Sequence, residues 1–352
     1  MVVRSENLRG LRTNACTAAR AAGALLALAV LQHPAKAQEP VADFYRGKTV
    51  TLTVGGEPGG GYDLDARVVA RHLGRFIPGN PRMVVANLPL GRGLINANRL
   101  YSAVPKDGTY MGLLLRGLLT APWLDPRGVQ YDIYKFNWLV STAAEPGVTI
   151  VWQARSTATV ADLRTKEIII GGSGDSAIIP QVFNYTMGTK FKLVSGYQGT
   201  AALVLAMERG EIDGIGYYSL SNILTRYRSW LTDNKVRVLL QTGERRNAEL
   251  PDVPLVSEFA LDETRLQIQR LWLAPLDTAR PFAMPPDVPQ ERVVAVRDAF
   301  GAMLKDAEFQ TDAKRSGMVI DPRTADEITA MLTRIGKTPP AIIEAARKAV
   351  QE

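Results

Sequence analysis

The stretch Lys48-Thr-Val-Thr-Leu-Thr-Val-Gly-Gly-Glu-Pro-Gly-Gly-Gly-Tyr-Asp63 joins a β-branched run to a glycine-rich turn. A β-branched run that ends in glycines is typical of a strand followed by a turn. After the turn, the apolar residues Val69, Leu73 and Phe76 recur at i, i+4 and i+7, which predicts a helix over 62–77. The stretch therefore predicts a strand–turn–helix unit, the repeating element of α/β folds.

The same alternation of strand-like and helix-like segments runs through the rest of the chain. Predicted strands cover 48–54, 83–86, 109–115, 167–170, 191–194, 212–215 and 236–240. Predicted helices cover 62–77, 93–103, 177–187, 200–209, 219–232, 290–304, 307–316, 324–335 and 339–350. Alternating strands and helices favour parallel sheets with helices on both faces. We therefore predict an α/β protein of two halves, each a sheet flanked by helices, with a helical tail joining one of them.

The first forty residues have the order of a secretory signal. Basic residues precede an uncharged run from Ala21 to Leu31, and Ala35-Lys-Ala37 follows as a small-x-small site. This run is too short to cross a membrane, which takes about 20 apolar residues. We predict a signal peptide over 1–37 that is not lipidated, because Cys16 precedes the apolar run. The alternative is an amphipathic or buried N-terminal helix.

The composition of the chain excludes several classes of chemistry. The 352 residues suffice for two domains, and removal of the signal lowers the net charge from +7 to +3, so we expect no nucleic-acid partner. Outside the signal there is one histidine, His72, and no cysteine. This excludes a thiol nucleophile, cysteine zinc sites, iron–sulfur clusters and a histidine-rich metal site. We expect no catalytic residues, no cofactor and no metal.

Three glycine-rich turns stand between a predicted strand and a predicted helix, at 55–63, 171–176 and 195–200. In open α/β sheets, ligands bind beyond the carboxyl ends of the strands. Glycine lets backbone N–H groups approach a ligand closely, and the N-terminus of a helix attracts anions. These turns predict an anion site that is held by backbone amides.

Motifs for nucleotide binding and hydrolysis fit these turns poorly. Gly56 and Gly61 have the spacing of a P-loop, but Tyr62-Asp63 stands where that loop needs Lys-Ser/Thr. Residues 172–177 fit GxGxxA, but no acidic residue lies at the required distance of about 20 residues. Ser173 is not in a GxSxG elbow.

Several side chains leave two interpretations open. Asp63 either orients a ligand, directly or through water, or is a helix-start acid that pairs with Arg67. Thr200 is expected to be a helix N-cap first and a ligand contact second. For Arg116, at the end of the third strand, a surface position is favoured over contact with a second ligand carboxylate, and Arg92 has the same alternatives.

Other polar residues have ordinary structural interpretations. His72 lies among arginines and is predicted to be a solvated helix residue. Ser173 and Ser176 are expected to be turn residues unless their loop lines a cleft. The strand end 217–219 is either part of a pocket wall or core.

A series of short motifs follows one order along the chain. They are Phe44-Tyr-Arg-Gly-Lys-Thr-Val50, Gly59-Gly-Gly-Tyr-Asp63 with Ala66-Arg67, Ile77-Pro-Gly-Asn-Pro81, Asn87-Leu-Pro89, Pro105-Lys-Asp-Gly-Thr109, Gly196-Tyr-Gln-Gly-Thr200 and Glu208-Arg-Gly-Glu-Ile-Asp213. Together these motifs, over roughly 43–320, resemble the substrate-binding receptors of tripartite tricarboxylate transporters, also called the Bug family. No single motif is specific, and the resemblance depends on their order and spacing.

The resemblance implies a two-lobed periplasmic binding protein of the type II-like class, without enzymatic activity. Lobe I would comprise 38–143 plus 262–352, and lobe II 144–261. Such a receptor holds a small carboxylate-bearing solute in the interlobe cleft and delivers it to the membrane permease subunits of a secondary transporter. We expect a monomer.

The resemblance also implies which residues bind the carboxylate. The matching positions are Gly60, Gly61 and Asp63 on one lobe, and Ser173, Ser176, Gly199, Thr200 and Ala201 on the other. Their neighbours Gly59 and Tyr62, together with Ser219 at a strand end, complete the expected ligand site.

One motif departs from the family pattern. The family commonly has Asn-x-Pro-Gly-Ala-Gly-Gly where this chain has Asn87-Leu-Pro-Leu-Gly-Arg-Gly93. Arg92 can therefore alter the rim of the pocket and the ligand class. Two other functions stay open: a secreted α/β enzyme that uses Asp63 and Asp175 as a carboxylate pair, and a ligand receptor for a membrane sensor.

Overall fold

The first of two sheets contains six strands in the order β11-β4-β10-β3-β1-β2. They are β1 (Thr49–Val54), β2 (Arg82–Asn87), β3 (Tyr110–Leu113), β4 (Asn137–Ser141), β10 (Pro281–Met284) and β11 (Arg323–Thr324). Strand β1 is parallel to β2 and β3, whereas β10 is antiparallel to β3 and β4, and β11 is antiparallel to β4. This computed structural model describes residues 39–197, 199–243 and 246–350. The predicted signal peptide, with Cys16 and His33, lies outside the described residues and stays a prediction.

The second sheet contains five strands in the order β7-β6-β8-β5-β9. They are β5 (Gly147–Trp152), β6 (Ile168–Gly171), β7 (Phe191–Val194), β8 (Gly214–Ser219) and β9 (Val236–Gln241). Strand β6 is parallel to β7 and β8, and β5 is antiparallel to β8 and β9.

Helices flank both sheets. The α-helices are α1 (Val41–Tyr45), α2 (Gly61–Leu73), α3 (Leu94–Ser102), α4 (Ala121–Leu124), α5 (Asp175–Met187), α6 (Thr200–Glu208), α7 (Leu220–Thr225), α8 (Arg228–Thr232), α9 (Glu263–Leu273), α10 (Gln290–Lys305), α11 (Ala307–Arg315), α12 (Ala325–Gly336) and α13 (Pro340–Lys348). The predicted α/β class with two sheets is confirmed. Among the described helices, none combines the length and the apolar content that a membrane crossing requires.

The expectation of purely parallel sheets is wrong, because both sheets are mixed. The chain leaves the first sheet after β4, enters the second at β5 through the short segment 142–146, and returns at β10. Since β10 starts where β4 ends, with Pro281 opposite Ser141, the two strands must run in opposite directions. A pattern of alternating strands and helices does not reveal such an exchange between sheets.

Two further predictions differ from the structure. The helix predicted over 219–232 is divided into α7 and α8, and the strand predicted over 212–215 begins at Gly214 and continues to Ser219. At Gly214 a Cβ atom would lie 2.0 Å from the carbonyl oxygen of Ile150, so the close pairing of β5 and β8 requires glycine there.

Helix α2 buries the face that its spacing predicts. Val69 and Leu73 are fully buried in one cluster with Leu52 of β1 and Phe300 of α10. Burial of each such side chain contributes about 1.5–3 kcal/mol. The helix therefore holds the glycine turn at its N-terminus against the first sheet.

His72 is buried, so the prediction of a solvated residue is wrong. Helix α11 packs over this side of α2, and Nε2 of His72 lies 2.9 Å from a carboxylate oxygen of Asp312. The ring also packs edge-on against Phe309 at 5.6 Å. Asp312 accepts further hydrogen bonds from Arg71 at 2.8 Å and Arg315 at 2.8 Å. The carboxylate thereby joins α2 to α11.

We expect Asp312→Asn to lower the free energy of unfolding at pH 7 by about 2 kcal/mol, because charge-assisted hydrogen bonds are lost at a buried carboxylate. The bond from His72, together with those from Arg71 and Arg315, holds the pKa of Asp312 far below its ordinary 3.8. This stabilisation is complete above pH 3.8 and is lost as the pH falls toward the depressed pKa of the folded state.

Urea unfolding of both proteins as a function of pH tests this prediction. The difference between wild type and variant should shrink on acidification. The control is Asp287→Asn, since Asp287 is 76% exposed and pairs with Lys106 at the surface. An equal loss in both variants would contradict the assigned role of Asp312.

Candidate functional site

The carboxyl ends of the parallel strands lie along one edge of each sheet. In the first sheet, β1 leads into the turn 55–60, β2 ends at Asn87, and β3 is followed by Arg116. In the second sheet, β6 leads into 172–174, β7 leads into 195–197, and β8 ends at Ser219. The predicted site residues therefore form two groups, Gly59–Asp63 at the edge of the first sheet and the other six at the edge of the second.

Asp63 closes the first glycine turn. One carboxylate oxygen accepts from the N–H of Gly59 at 2.8 Å and from Nε of Arg67 at 2.9 Å, and the other accepts from Nδ2 of Asn87 at 2.9 Å. Its hydrogen bond with Arg67 lowers the pKa of Asp63 to about 2 against the opposing effect of burial, with help from Gly59 and Asn87. Asp63 is 1% exposed. The helix-start interpretation is thus correct, and Asp63 fixes the shape of the turn.

The turn leaves backbone donors open at the start of α2. Its N-cap, Gly60, provides no side-chain cap, and its N–H donates to the carbonyl of Glu57 at 3.0 Å. Within the described residues, the N–H groups of Gly61, Tyr62 and Asp63 have no hydrogen-bond partner. Gly59, with φ 77°, takes a left-handed conformation that favours glycine. The first turn of α2 is therefore a suitable anion site.

Two helices of the second sheet begin in the same manner. Gly174 is the N-cap of α5 and Gly199 that of α6, and neither provides a side-chain cap. Thr200 is the first residue of α6, so its assignment as an N-cap is wrong. The hydroxyl of Ser176 donates to the carbonyl of Ser173 at 3.0 Å, which holds the second turn closed.

The third turn lies at the surface. Gly199, Thr200 and Ala201 are exposed, and Gln198 lies outside the described residues. Over the described parts of the chain, no hydrogen bond or ion pair joins these three residues to the elements of the first sheet. Ser219 is buried at the start of α7, where its hydroxyl lies 2.9 Å from that of Ser221.

Arg116 follows β3 of the first sheet and contacts α5 beside the second sheet. The prediction that Arg116 lies at the surface is therefore wrong. Its side chain is 14% exposed. Nε donates to Asp175 of α5 at 2.9 Å, Nη2 donates to the same carboxylate, and Nη1 donates to Glu145. The guanidinium carbon lies 5.7 Å from the ring centre of Tyr217, whose hydroxyl donates to the carbonyl of Glu145. A buried guanidinium requires such partners.

A second buried arginine completes this cluster. Nε of Arg280 donates to Asp65 at 2.6 Å, and Nη1 donates to Glu145 at 3.2 Å. Its guanidinium stacks on the ring of Tyr62 at 4.1 Å. A Cβ atom on Gly61 would lie 3.6 Å from Nη2 of Arg280, and Nη2 has no hydrogen-bond partner among the described residues. A positive charge thus lies beside the open N–H groups of the first turn.

The sequence does not predict Arg280, Asp65 and Glu145 as site residues. These residues lie far apart in the chain, and no local spacing marks them. Burial raises the pKa of Glu145, but Arg116 and Arg280 outweigh this effect and hold it below the ordinary value. Burial raises the pKa of Asp65 in spite of Arg280. Glu145 is therefore the carboxyl group that the two guanidinium groups share, while Asp65 and Asp175 each pair with one of them.

The secreted-enzyme alternative used Asp63 and Asp175 as a carboxylate pair, and the structure gives these two side chains separate partners. One oxygen of Asp63 accepts from Gly59 and Arg67 and the other accepts from Asn87, whereas Asp175 pairs with Arg116. Each carboxylate thus pairs with a different arginine, and no hydrogen bond joins the two in the part of the chain that the structure describes.

We expect Glu145→Gln to lower the free energy of unfolding by about 3 kcal/mol, because two buried guanidinium groups lose a shared anion. Chemical denaturation at pH 7 measures the effect. Glu258→Gln is the matched control, since Glu258 is 41% exposed and pairs with Arg246, so its loss should cost about 0.5 kcal/mol. A similar small cost for Glu145→Gln would show that the cluster does not depend on this carboxylate.

The chain is similar to several known proteins. No family model matches the sequence. It is 28% identical over 268 residues to a UPF0065 protein from the TAR-I ttuE–ttuC′ intergenic region of Agrobacterium vitis, and the alignment covers 73% of each chain.

Solved structures share its fold. A TctC solute-binding protein from Polaromonas has a TM-score of 0.66 and 19% identity, covering 86% of this chain and 99% of its own. A Rhodopseudomonas palustris protein with adipate has a TM-score of 0.60 and 20% identity, covering 86% and 97%. MatC from the same species, with bound malate, has a TM-score of 0.57 and 17% identity, covering 86% and 99%.

These neighbours and the two mixed sheets define the class of protein. The chain has the two-lobed fold of periplasmic solute-binding proteins. The predicted resemblance to the Bug family is confirmed, since the chain is similar in sequence to UPF0065 proteins and in fold to a TctC solute-binding protein.

Proposed function

We propose that this protein is a solute-binding receptor that captures a small carboxylate-bearing solute between its two sheets. The proposal rests on one observation: helices α2, α5 and α6 begin at the carboxyl ends of parallel strands, and none of the three has a side-chain cap at its N-terminus. Each helix N-terminus stabilises an anion by about 0.3–1 kcal/mol, and by up to ~2 kcal/mol when partly buried. Several such ends bind a carboxylate without a catalytic side chain.

The first turn is the strongest part of the proposed site. It combines the open N–H groups of Gly61, Tyr62 and Asp63 with Nη2 of Arg280. The ligand carboxylate would accept hydrogen bonds from these groups. The rest of the ligand would be covered by residues at the carboxyl ends of the strands in the second sheet. These residues are Ser173, Ser176, Gly199, Thr200, Ala201 and Ser219.

The lobes of this receptor would be 38–143 plus 262–352 and 144–261. All strands of the first sheet fall in the first set of residues and all strands of the second sheet in the other. The segments that precede β5 and β10 hydrogen-bond to each other, since the N–H of Thr142 donates to the carbonyl of Arg280 at 3.1 Å and that of Glu145 donates to the carbonyl of Leu276 at 2.7 Å. The proposed lobes would therefore join beside the buried cluster. Closure of the lobes around the ligand would bury it.

The ligands of similar structures support a carboxylate. One neighbour was solved with malate and another with adipate, and both are small carboxylates. By the same likeness, we propose that the chain is secreted to the periplasm as a monomer and delivers its ligand to permease subunits of a tripartite tricarboxylate-type transporter. It would carry out no chemical reaction and need no cofactor. A sensor partner in place of a permease would leave the binding site unchanged.

Isothermal titration calorimetry of the purified protein against mono- and dicarboxylates of four to six carbons tests the proposal. We expect at least one acid to bind, and its methyl ester or amide to bind at least about tenfold more weakly, because the open N–H groups require a negative charge. Absence of binding by every acid would overturn the proposed function.

We expect Gly60→Val and Asp63→Ala each to weaken carboxylate binding by about tenfold, or about 1.4 kcal/mol. At Gly60 a Cβ atom would lie 3.1 Å from the carbonyl oxygen of Glu57 and force the turn to shift. Removal of the Asp63 carboxylate frees the N–H of Gly59 and loosens the same turn.

Calorimetry measures the affinities, and circular dichroism confirms that the variants are folded. The control is Gly301→Ala in α10, where an added Cβ meets no atom within 4 Å. This control should bind like wild type. Unchanged affinity in both turn variants would exclude the first turn from the site.

A further inference from the structure

Arg116 is the cation best placed to meet a second anionic group of a ligand. It stands at the end of β3, between the first turn and the N-terminus of α5. Its backbone N–H donates to the hydroxyl of Tyr62 at 3.1 Å, so it is fixed next to the proposed carboxylate anchor. A free guanidinium at this place would favour a ligand with two carboxylates.

The guanidinium of Arg116 is not free. All three of its nitrogen atoms donate to protein carboxylates: Nε and Nη2 to Asp175, and Nη1 to Glu145. In the whole cluster, the two guanidinium groups of Arg116 and Arg280 meet three carboxyl groups, those of Asp65, Glu145 and Asp175. Each guanidinium therefore already has two carboxyl partners, Asp175 and Glu145 for Arg116, and Asp65 and Glu145 for Arg280.

We propose that Asp175 occupies the position on Arg116 that a second ligand carboxylate would take, so that the receptor selects solutes with one carboxylate and an uncharged remainder. This inference rests on the proposed function and narrows its ligand class. Asp175 is then a specificity-determining residue that acts by repulsion.

Two ligands of equal length, one with a single carboxylate and one with two, would meet this cluster differently. A monocarboxylate places its charge at the first turn and leaves the Arg116–Asp175 pair intact. The second carboxylate of a dicarboxylate either lies beside Asp175 without a partner or displaces it from Arg116. An unpaired charge near like charge in a closed cleft disfavours the wrong ligand, which is the usual means of such discrimination.

Asp175 also differs from the other carboxylates of the cluster in its exposure. Its side chain is 42% exposed, against 21% for Glu145 and 13% for Asp65. It is the first residue of α5, and its only side-chain bonds among the described residues are those with Arg116. Removal of this carboxylate therefore leaves no buried cation unpaired, because Arg116 still donates to Glu145.

Asp175→Asn tests the inference by a gain of binding. Calorimetry at pH 7.5 compares two matched pairs, hexanoate with adipate and butyrate with succinate, for the wild type and the variant. We expect wild type to bind the monocarboxylate of the preferred length at least about tenfold more tightly than its dicarboxylate partner. In Asp175→Asn this ratio should fall by about tenfold or reverse, because Arg116 becomes available.

Two control variants separate charge at this position from charge in general. Asp175→Glu keeps the carboxylate and should retain the wild-type ratio. Glu344→Gln removes an exposed carboxylate of α13 that pairs with Lys348, and the ratio should again stay as in wild type.

Each remaining outcome contradicts a specific statement. A wild type that prefers the dicarboxylates, or a ratio that Asp175→Asn leaves unchanged, overturns this inference while the carboxylate receptor stands. Absence of binding by all four acids and by the wider panel of carboxylates overturns the proposed function itself, and the inference with it.

Discussion

The structure depends on carboxyl groups that pair with the charges of two buried arginine side chains, at the point where the chain passes from one sheet to the other. A charged group removed from water costs several kcal/mol unless it is paired and hydrogen-bonded. Arg116 follows a strand of the first sheet and Arg280 precedes another, and both donate to Glu145 in the segment that joins the sheets. Because the two guanidinium groups share one carboxylate, the ends of these strands are held in fixed positions. The glycine turns at the same edges therefore have a defined relation to this cluster.

The proposed binding site separates affinity from selectivity. Backbone N–H groups at the start of α2 provide attraction for any carboxylate, and Asp63 only fixes their arrangement. Such donors do not distinguish one acid from another. Discrimination must come from side chains nearby, and here these side chains are already paired with each other. A receptor built in this way changes its ligand class through the charge cluster while its anchor stays the same.

Charge pairing also holds helix α11 against helix α2, which packs on the first sheet. Asp312 joins α2 to α11 through His72 and the flanking arginines, on the side of α2 away from its N-terminal turn. The same helix thus carries the proposed carboxylate anchor at one end and an ion cluster near the other. Helix α2 is thus joined to α11 near its C-terminus and packs on the first sheet through its buried face.

The sequence by itself determined the local units of this protein. The glycine turns, the helix face of Val69 and Leu73, and the pairing of Asp63 with Arg67 all follow from spacings of a few residues, which local physics fixes. Only the tertiary structure decided that β10 runs antiparallel, that His72 is buried under α11, and that Arg116 meets Asp175 and Glu145. These contacts join residues from distant parts of the chain or from different sheets. The periodicity of one segment does not determine which other segment packs against it.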